Sequence, residues 1–440
     1  MTIFIVVAFI IGYLMIALEH PLHIDKAASA ILTGVVCWVA LVIGLDAMPL
    51  TATAEGAEAI RDAHFLDHHL LEHLGEIGSI LFFLLGAMTI VELVDAHDGF
   101  RIITDRITTE NRVRLLWILS LVSFFMSAAL DNLTTAIVMS ALIRKLVTKK
   151  EDVWLLAGFV IIAANAGGAW SPIGDITTIM LWIGGQVTAG NIVMKVFLPS
   201  IASILVPLIV ASFFLKGNVF KPEEAEEEKE SLTTLGQRNL IFGLGVGALL
   251  FVPIFKNLTH LPPFMGILLG LGTLWLVTEI LHKGKDWEIR KELSVTAVLQ
   301  RIDTPSILFF LGILLAVASL QTSGHLALLA RTLDNTFGNI YVINILIGLL
   351  SSIVDNVPLV AAAMGMYPMS QFPVDHTFWE LLAYCAGTGG SVLIIGSAAG
   401  VAAMGVLKID FIWYLKRISL YALVGYFAGV GVYYLLNGAG

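Results

Sequence analysis

Phe124-Phe-Met-Ser127-Ala-Ala-Leu130-Asp131-Asn132-Leu133-Thr134-Thr135-Ala-Ile-Val-Met139 is an apolar run interrupted at its middle by an acid and an amide. Gly348-Leu-Leu-Ser351-Ser-Ile-Val354-Asp355-Asn356-Val357-Pro358-Leu-Val-Ala361 repeats the pattern. Neither stretch contains Lys or Arg. An ionised carboxylate at the centre of a membrane helix costs about 2.5–3.5 kcal/mol on insertion scales, so such a residue needs a partner. A helix cap at a hairpin tip is the plain structural role for each Asp. Capping is compatible with ion binding, and two copies of one pattern favour a site.

The repetition extends along the chain. Ser79-Ile-Leu-Phe-Phe-Leu84 recurs as Ser306-Ile-Leu-Phe-Phe-Leu311, and Asn165-Ala-Gly167-Gly168-Ala-Trp-Ser-Pro172-Ile-Gly174-Asp175 is matched by Gly387-Thr-Gly389-Gly390-Ser391-Val-Leu-Ile-Ile-Gly396-Ser397. With the Asp-Asn pairs, these matches keep their order at offsets of 227, 224 and 222 residues, which identifies an internal duplication. The halves are residues 1–215 and 239–440, joined by a charged linker, 216–238, that carries Glu223, Glu224, Glu226, Glu227 and Glu228.

Composition makes lipid the solvent. Of the 440 residues, 58 % are hydrophobic and only 13 % charged, against about 25 % charged in a soluble domain. The net charge of -9 is scattered over spans and loops and gives no reason to expect nucleic acid. Cys37 and Cys385 fall in apolar runs and read as small core residues rather than a disulfide. The first apolar run, Ile3 to Leu18, lacks a basic leader and reads as a first span.

Four runs are too long for one helix and too short for two full ones: 113–143, 153–186, 339–367 and 379–407. Each carries Gly, Pro or acid near its middle. Re-entrant hairpins near 113–148 and 339–375, and broken helices near 153–186 and 379–407, are therefore expected. The fold class is an all-α polytopic membrane protein with two repeats, each of about five transmembrane helices plus one re-entrant hairpin. Five crossings per half invert the second repeat relative to the first. With the base of the first hairpin in the cytoplasm, all Lys and Arg except Arg61, Lys195, Lys256 and Arg331 fall inside, as the positive-inside rule requires. The linker is then cytoplasmic and both termini periplasmic.

The polar groups in these runs are hard oxygen donors. Asp131, Asp175 and Asp355 supply charge, Asn132 and Asn356 supply amide carbonyls, and Ser127, Thr134, Thr135, Thr177, Thr178 and Ser351 supply hydroxyls. Such donors suit a small hard cation and offer no thiolate or redox chemistry. Gly167, Gly168, Pro172 and Gly174, and in the second half Gly387, Gly389, Gly390 and Gly396, would unwind helix and free carbonyls. Ser397 stands where the first half carries the charge of Asp175, and Ser391 lies in the same segment, so the site should be lopsided toward the first half. Asn165 is either a cavity ligand or a satisfied amide at a helix break. A proton and a metal ion compete for one buried carboxylate, and that competition suffices for antiport. The expected exchange is of a small hard cation such as Na+ against H+, with no cofactor and no enzymatic reaction.

Other polar residues carry weaker readings. Glu92 either snorkels to the interface or serves as an accessory acid. His69, His73 and Glu76 recur at helical spacing in a segment also holding His64, Asp67, His68 and Glu72, which suggests a metal site, a pH sensor or simply a wet amphipathic loop. His69-Leu-Leu-Glu72-His73 fits an H-x-x-E-H order seen in a zinc-protease class, a weak signal in so His-rich a segment. His97 and His282 are expected to lie singly near span ends, and Asp303 before Pro305 reads as a helix cap.

Two hairpin motifs paired with two broken-helix motifs resemble the ion transporter superfamily, which includes dicarboxylate and citrate carriers. In the anion carriers the tips typically read Ser-Asn-Thr; here they read Asp131-Asn132-Leu133-Thr134 and Asp355-Asn356-Val357-Pro358. Carboxylates at those places should repel an anion. From Ile11-Gly-Tyr-Leu-Met-Ile-Ala-Leu-Glu-His-Pro21 through Gly75-Glu76-Ile-Gly78, Ala87-Met-Thr-Ile-Val-Glu92, Asp131-Asn-Leu-Thr-Thr135, Asn165 to Thr178, Asp355-Asn356 and Gly387 to Gly400, the chain is similar to NhaD-type sodium/proton antiporters. That resemblance implies Na+ or Li+ exchanged for protons across a bacterial inner membrane at alkaline pH. It implies transport roles for Ser127, Asp131, Asn132, Asn165, Asp175, Thr177, Thr178, Ser351, Asp355 and Asn356. It also implies a homodimer with scaffold and transport parts and an elevator-like motion. The competing readings are a sodium-coupled anion carrier, an intramembrane aspartyl protease built on Pro172-Ile-Gly174-Asp175, and a passive channel.

Overall fold

The computed structural model describes residues 2–17, 19–43, 63–220 and 232–438, and its regular elements are all α-helices. Residues 44–62, with Arg61, and the run Glu223–Glu228 lie outside the described residues. Among the described residues, nine helices are long and apolar enough to cross a bilayer, or up to eleven if each bent pair is one span. The ten crossings expected from the sequence lie within that range. The chain is a multi-span helical membrane protein.

Each of the four overlong runs resolves into two helices. Residues 113–143 become Arg112–Ala129 and Asn132–Leu146, and 153–186 become Lys150–Ala169 and Ile176–Ile183. In the second half, 339–367 become Ile340–Leu350 and Asn356–Met366, and 379–407 become Thr377–Gly389 and Ala398–Leu407. Short polar side chains start the new helices. Asp131 accepts from Thr134 N, Asp175 from Thr177 N, and Ser397 from Gly400 N, each satisfying a backbone donor that a helix start leaves without a partner. Asp303 does the same for Ser306 N at 3.2 Å, in line with its reading as a cap.

Chain contacts divide the molecule into two compact units. The first holds Met1–Phe82, Asp303–Ile343 and Val357–Pro373. Its core is the crossing of the Lys26–Ile43 and Thr304–Thr322 helices at small residues. A Cβ on Gly34 would lie 2.6 Å from Gly312 O, and one on Gly312 would lie 2.4 Å from the Ala30 carbonyl carbon. Lipid tails are as apolar as side chains, so membrane helices associate through such close backbone packing. Trp38 Nε1 donates to Leu315 O at 2.9 Å and locks the register.

The second unit holds Phe83–Ile302, Asn344–Asn356 and Val374–Gly440. The Lys150–Ala169 helix runs through its centre, and nearly every side chain on it is buried. Arg112 Nη2 reaches both oxygens of buried Asp152 at 2.7 Å, tying the starts of two helices. Cys385 here and Cys37 in the first unit are buried free thiols, as their apolar settings suggested.

His97 and His282 depart from expectation. They are 0 % and 2 % exposed, and their Nε2 atoms lie 2.8 Å apart in a stacked pair. The surrounding contacts fix the tautomers. His97 Nδ1 lies 2.7 Å from Leu93 O, so it carries a hydrogen and donates. Nε2 of neutral His97 then accepts, and Nε2 of His282 donates to it. His282 Nδ1, buried without a partner, is left as the bare acceptor. Burial pushes the His97 imidazole below its ordinary value; Lys285 adds to the push, while the Leu93 carbonyl and Asp98 oppose it. Glu279 also faces the pair, on the His282 side. A depressed folded-state value means that the unfolded chain binds the proton first. The contribution to stability is therefore complete above the ordinary histidine value of about 6.5 and is lost as the pH falls below it. The thermal midpoint in detergent is expected to drop between pH 8 and pH 5.5, and the double variant His97→Gln/His282→Gln to drop less. Equal slopes would remove the pair as the cause.

Candidate functional site

Both halves assemble the same backbone crossing. A Cβ on Gly167 would sit 2.1 Å from Phe124 O, and a Cβ on Gly389 would sit 2.0 Å from Gly348 O. Ser127 Oγ donates to Ala164 O at 2.6 Å, and Ser351 Oγ donates to Ala386 O at 2.8 Å. Gly168 closes on Gly174, and Gly390 closes on Gly396. These pairs keep the 222–224 offsets of the sequence repeat. Ser127 and Ser351 thus fasten each hairpin arm to its broken helix through their hydroxyl hydrogens, and their oxygen lone pairs stay open as acceptors.

On this frame Asp175 is 1 % exposed. Its Oδ1 accepts from Thr177 N at 2.9 Å and from Thr177 Oγ1 at 2.8 Å. Its Oδ2 accepts from Asn132 Nδ2 at 2.7 Å, and the same amide donates to Asn165 Oδ1 at 3.1 Å. Both amide hydrogens of Asn132 are thereby engaged. Asn165 Nδ2 in turn donates to Ser391 Oγ at 2.9 Å and Ser397 Oγ at 2.8 Å. Asn165 is therefore a satisfied amide that bridges the two halves. Ser391 and Ser397 hold it, and Tyr414 OH, donating to Ser391 O at 2.8 Å, steadies that segment.

Asp131 is half-buried and caps its own helix, with Thr134 N at 2.6 Å and Thr134 Oγ1 at 2.8 Å. Thr135 Oγ1 is buried and has no partner. An unpartnered hydroxyl beside the Asp131-Asn132 turn is what a cation-binding site would supply, because burying a hydroxyl unbonded costs free energy. Thr178 Oγ1 makes a long contact, 3.3 Å, to Ala169 O. The Asp355 and Asp131 carboxylates both lie within electrostatic reach of Asp175. Asn356, 4 % exposed, begins the helix that follows Asp355. Asp175 and the Asn132 amide are thus in direct contact, and Asp131 and Asp355 act on Asp175 through their charge.

The accessory candidates lie elsewhere. Glu92 is half-buried with Asp95 and Arg301 as its charged neighbours. His69 pairs with Glu72 at 3.5 Å and His73 with Glu76 at 3.7 Å on successive turns. The ligand atoms that converge, within 4.8 Å, belong to His68, His69 and Glu72, which is not the H-x-x-E-H set. Glu380 went unnoticed in the sequence. It is 3 % exposed and accepts from Asn191 Nδ2 and Tyr433 OH. The signal that selected Asp131, an acid in an apolar run, was present in Phe378-Trp-Glu380-Leu-Leu382.

A family model described as citrate transporter matches residues 3–384. Sodium/proton antiporter 1 of Arabidopsis thaliana is 49 % identical over 96 % of this chain and 70 % of its own length. The Na(+)/H(+) antiporter NhaD of Vibrio cholerae is 33 % identical over 98 % of this chain and 90 % of its own. A solved structure of MtrF from Neisseria gonorrhoeae aligns at a TM-score of 0.48 and 12 % identity, over 92 % of this chain and 94 % of that one. The chain belongs to the citrate-transporter family and, within it, to the group of NhaD-type sodium/proton antiporters.

Proposed function

We infer that this protein exchanges Na+ or Li+ for H+ across a membrane, with Asp175, Asp131, Asp355, Asn132 and Asn356 as the ion-binding groups. The observation that carries this reading is the set of partners around Asp175, whose hydrogen bonds come only from the Asn132 amide and from Thr177. Neutral donors hold the carboxylate in place without neutralising it. A cation or a proton can then supply the missing positive charge, one at a time. Thr135 offers the unpartnered hydroxyl, and Thr134, Thr177 and Thr178 orient the acids and the helix ends that carry them. Asn165, Ser127 and Ser351 act by positioning.

The two names attached to the relatives, citrate carrier and sodium/proton antiporter, differ in the sign of the cargo. The tips decide between them. Asp131 and Asp355 place negative charge where an anion's carboxyl groups would dock, with no Lys or Arg in either apolar run. The duplicated contacts support a two-repeat plan, and the distribution of Lys and Arg favours an inverted pair with the linker 216–238 in the cytoplasm and both termini periplasmic. By likeness to the bacterial relatives, the working form is a homodimer in a bacterial inner membrane that moves its site by an elevator-like step.

Everted vesicles carrying a pH-sensitive dye test the reading. Addition of Na+ or Li+ is expected to release protons from an acid-loaded lumen, and addition of citrate is expected to have no effect. A response to citrate alone would overturn it.

A further inference from the structure

The half-helix Ile176–Ile183 carries the site at its start and is held at its far end by one long side chain. Lys256, half-buried in the last turn of the Leu235–Thr259 helix, donates from Nζ to Trp182 O at 2.9 Å. The same ammonium lies over the Trp182 ring, 4.8 Å from its centroid. Trp182 is 2 % exposed, and the ring of Phe83 meets it edge-on at 6.5 Å. Lys256 is also one of the few basic residues that the charge asymmetry leaves on the outer side.

These contacts matter because the half-helix is short and jointed at both ends. Gly174 precedes its Asp175 cap, and Gly184-Gly185 follow it, with Gly185 at φ +82°. Eight residues span about 12 Å, so a shift at one end tilts the other. The last carbonyls of a helix carry partial negative charge; Trp182 O accepts from Gly185 N at 3.3 Å, and the ammonium adds a second, charged donor that complements the helix end. Stacking on an indole face adds a cation–π attraction.

We propose that Lys256 is a positioning residue for ion binding: by pinning Trp182 to the Leu235–Thr259 helix it sets the tilt of the half-helix, and so the placement of Asp175, Thr177 and Thr178 against Asn132. The proposal rests on Asp175 being an ion ligand. Lys256→Met keeps the aliphatic stem and removes the charge and the donor, whereas Lys256→Arg keeps both. Two readouts on purified protein in proteoliposomes decide it. In Lys256→Met the KM for Na+ is expected to rise about fivefold, a modest part of what a charge-assisted hydrogen bond is worth, with the maximal rate within about twofold of the parent. Backbone hydrogen exchange over 176–186 should quicken by a similar factor while other segments hold, and Lys256→Arg should match the parent in both. Unchanged exchange over 176–186, an unchanged KM, or faster exchange throughout the protein would each overturn the proposal, the last by reducing Lys256 to general stability. A parent protein with no Na+-dependent flux would instead overturn the function reading, and the exchange data would still report whether the pin exists.

Discussion

Asp175→Asn is expected to abolish Na+-driven proton flux while leaving a folded, membrane-inserted protein. With its one oxygen toward Thr177 N, asparagine can still start the half-helix, so the cap survives in that orientation. The charge does not. The second oxygen now accepting from Asn132 Nδ2 becomes either an amide nitrogen, which sets two donors against each other, or the sole oxygen, which abandons Thr177. No ionisable oxygen then remains at this position to trade a proton for a cation. Loss of one charge-assisted ligand is worth about 1.5–3 kcal/mol, which is about 10- to 150-fold in rate, and loss of the exchangeable proton removes the coupled step altogether. Dye dequenching in vesicles reads the flux, and gel filtration in detergent reads the fold. Retention of more than about a tenth of the parental flux would remove Asp175 from the site.

Gly167→Ala and Gly389→Ala are expected to be equally damaging for another reason. Each new methyl would fall about 2 Å from a backbone carbonyl oxygen, of Phe124 or of Gly348. A carbonyl within a helix cannot swing aside as the end of a flexible side chain can. The two backbones must separate by more than 1 Å, roughly, and overpacking of this kind costs about 1–3 kcal/mol, occasionally more. Separation would also move Ser127 off Ala164, or Ser351 off Ala386. Thermal midpoints in detergent should fall sharply for both variants. Gly78→Ala, where a Cβ meets nothing within 4 Å, serves as the control and should be nearly silent. If Gly167→Ala melted like Gly78→Ala, the close crossing would not be needed for stability.

Several features of this fold are legible in the chain because they are local. A run such as 153–186 announces a broken helix through Gly167, Gly168, Pro172 and Gly174, since helix propensity and chain joints depend on a few neighbouring residues. Asp131 announces itself as a cap by the same logic, an acid just before a new helix, whereas the capping role of Asp175 emerges only in the structure. The repeat is legible as spacing, and it returns as paired backbone contacts with those same offsets. The His97–His282 pair was not legible. Its members lie 185 residues apart, and either one alone looks like an interfacial histidine. Glu380 lies in an apolar run too, but its partners Asn191 and Tyr433 are 189 and 53 residues away, so its role is visible only in the fold.

The sequence by itself determined the solvent, the helices, their breaks, the duplication and the three acids, because transfer free energy and backbone preference act residue by residue. Only the tertiary structure decided what each polar group does. It assigned the Asn132 amide to Asp175 and Asn165, spent the Ser127 and Ser351 hydroxyls on neighbouring carbonyls, and left the Thr135 hydroxyl without a partner. Those assignments depend on which side chains meet across helices, at distances near 3 Å, and no property of a single segment encodes that meeting.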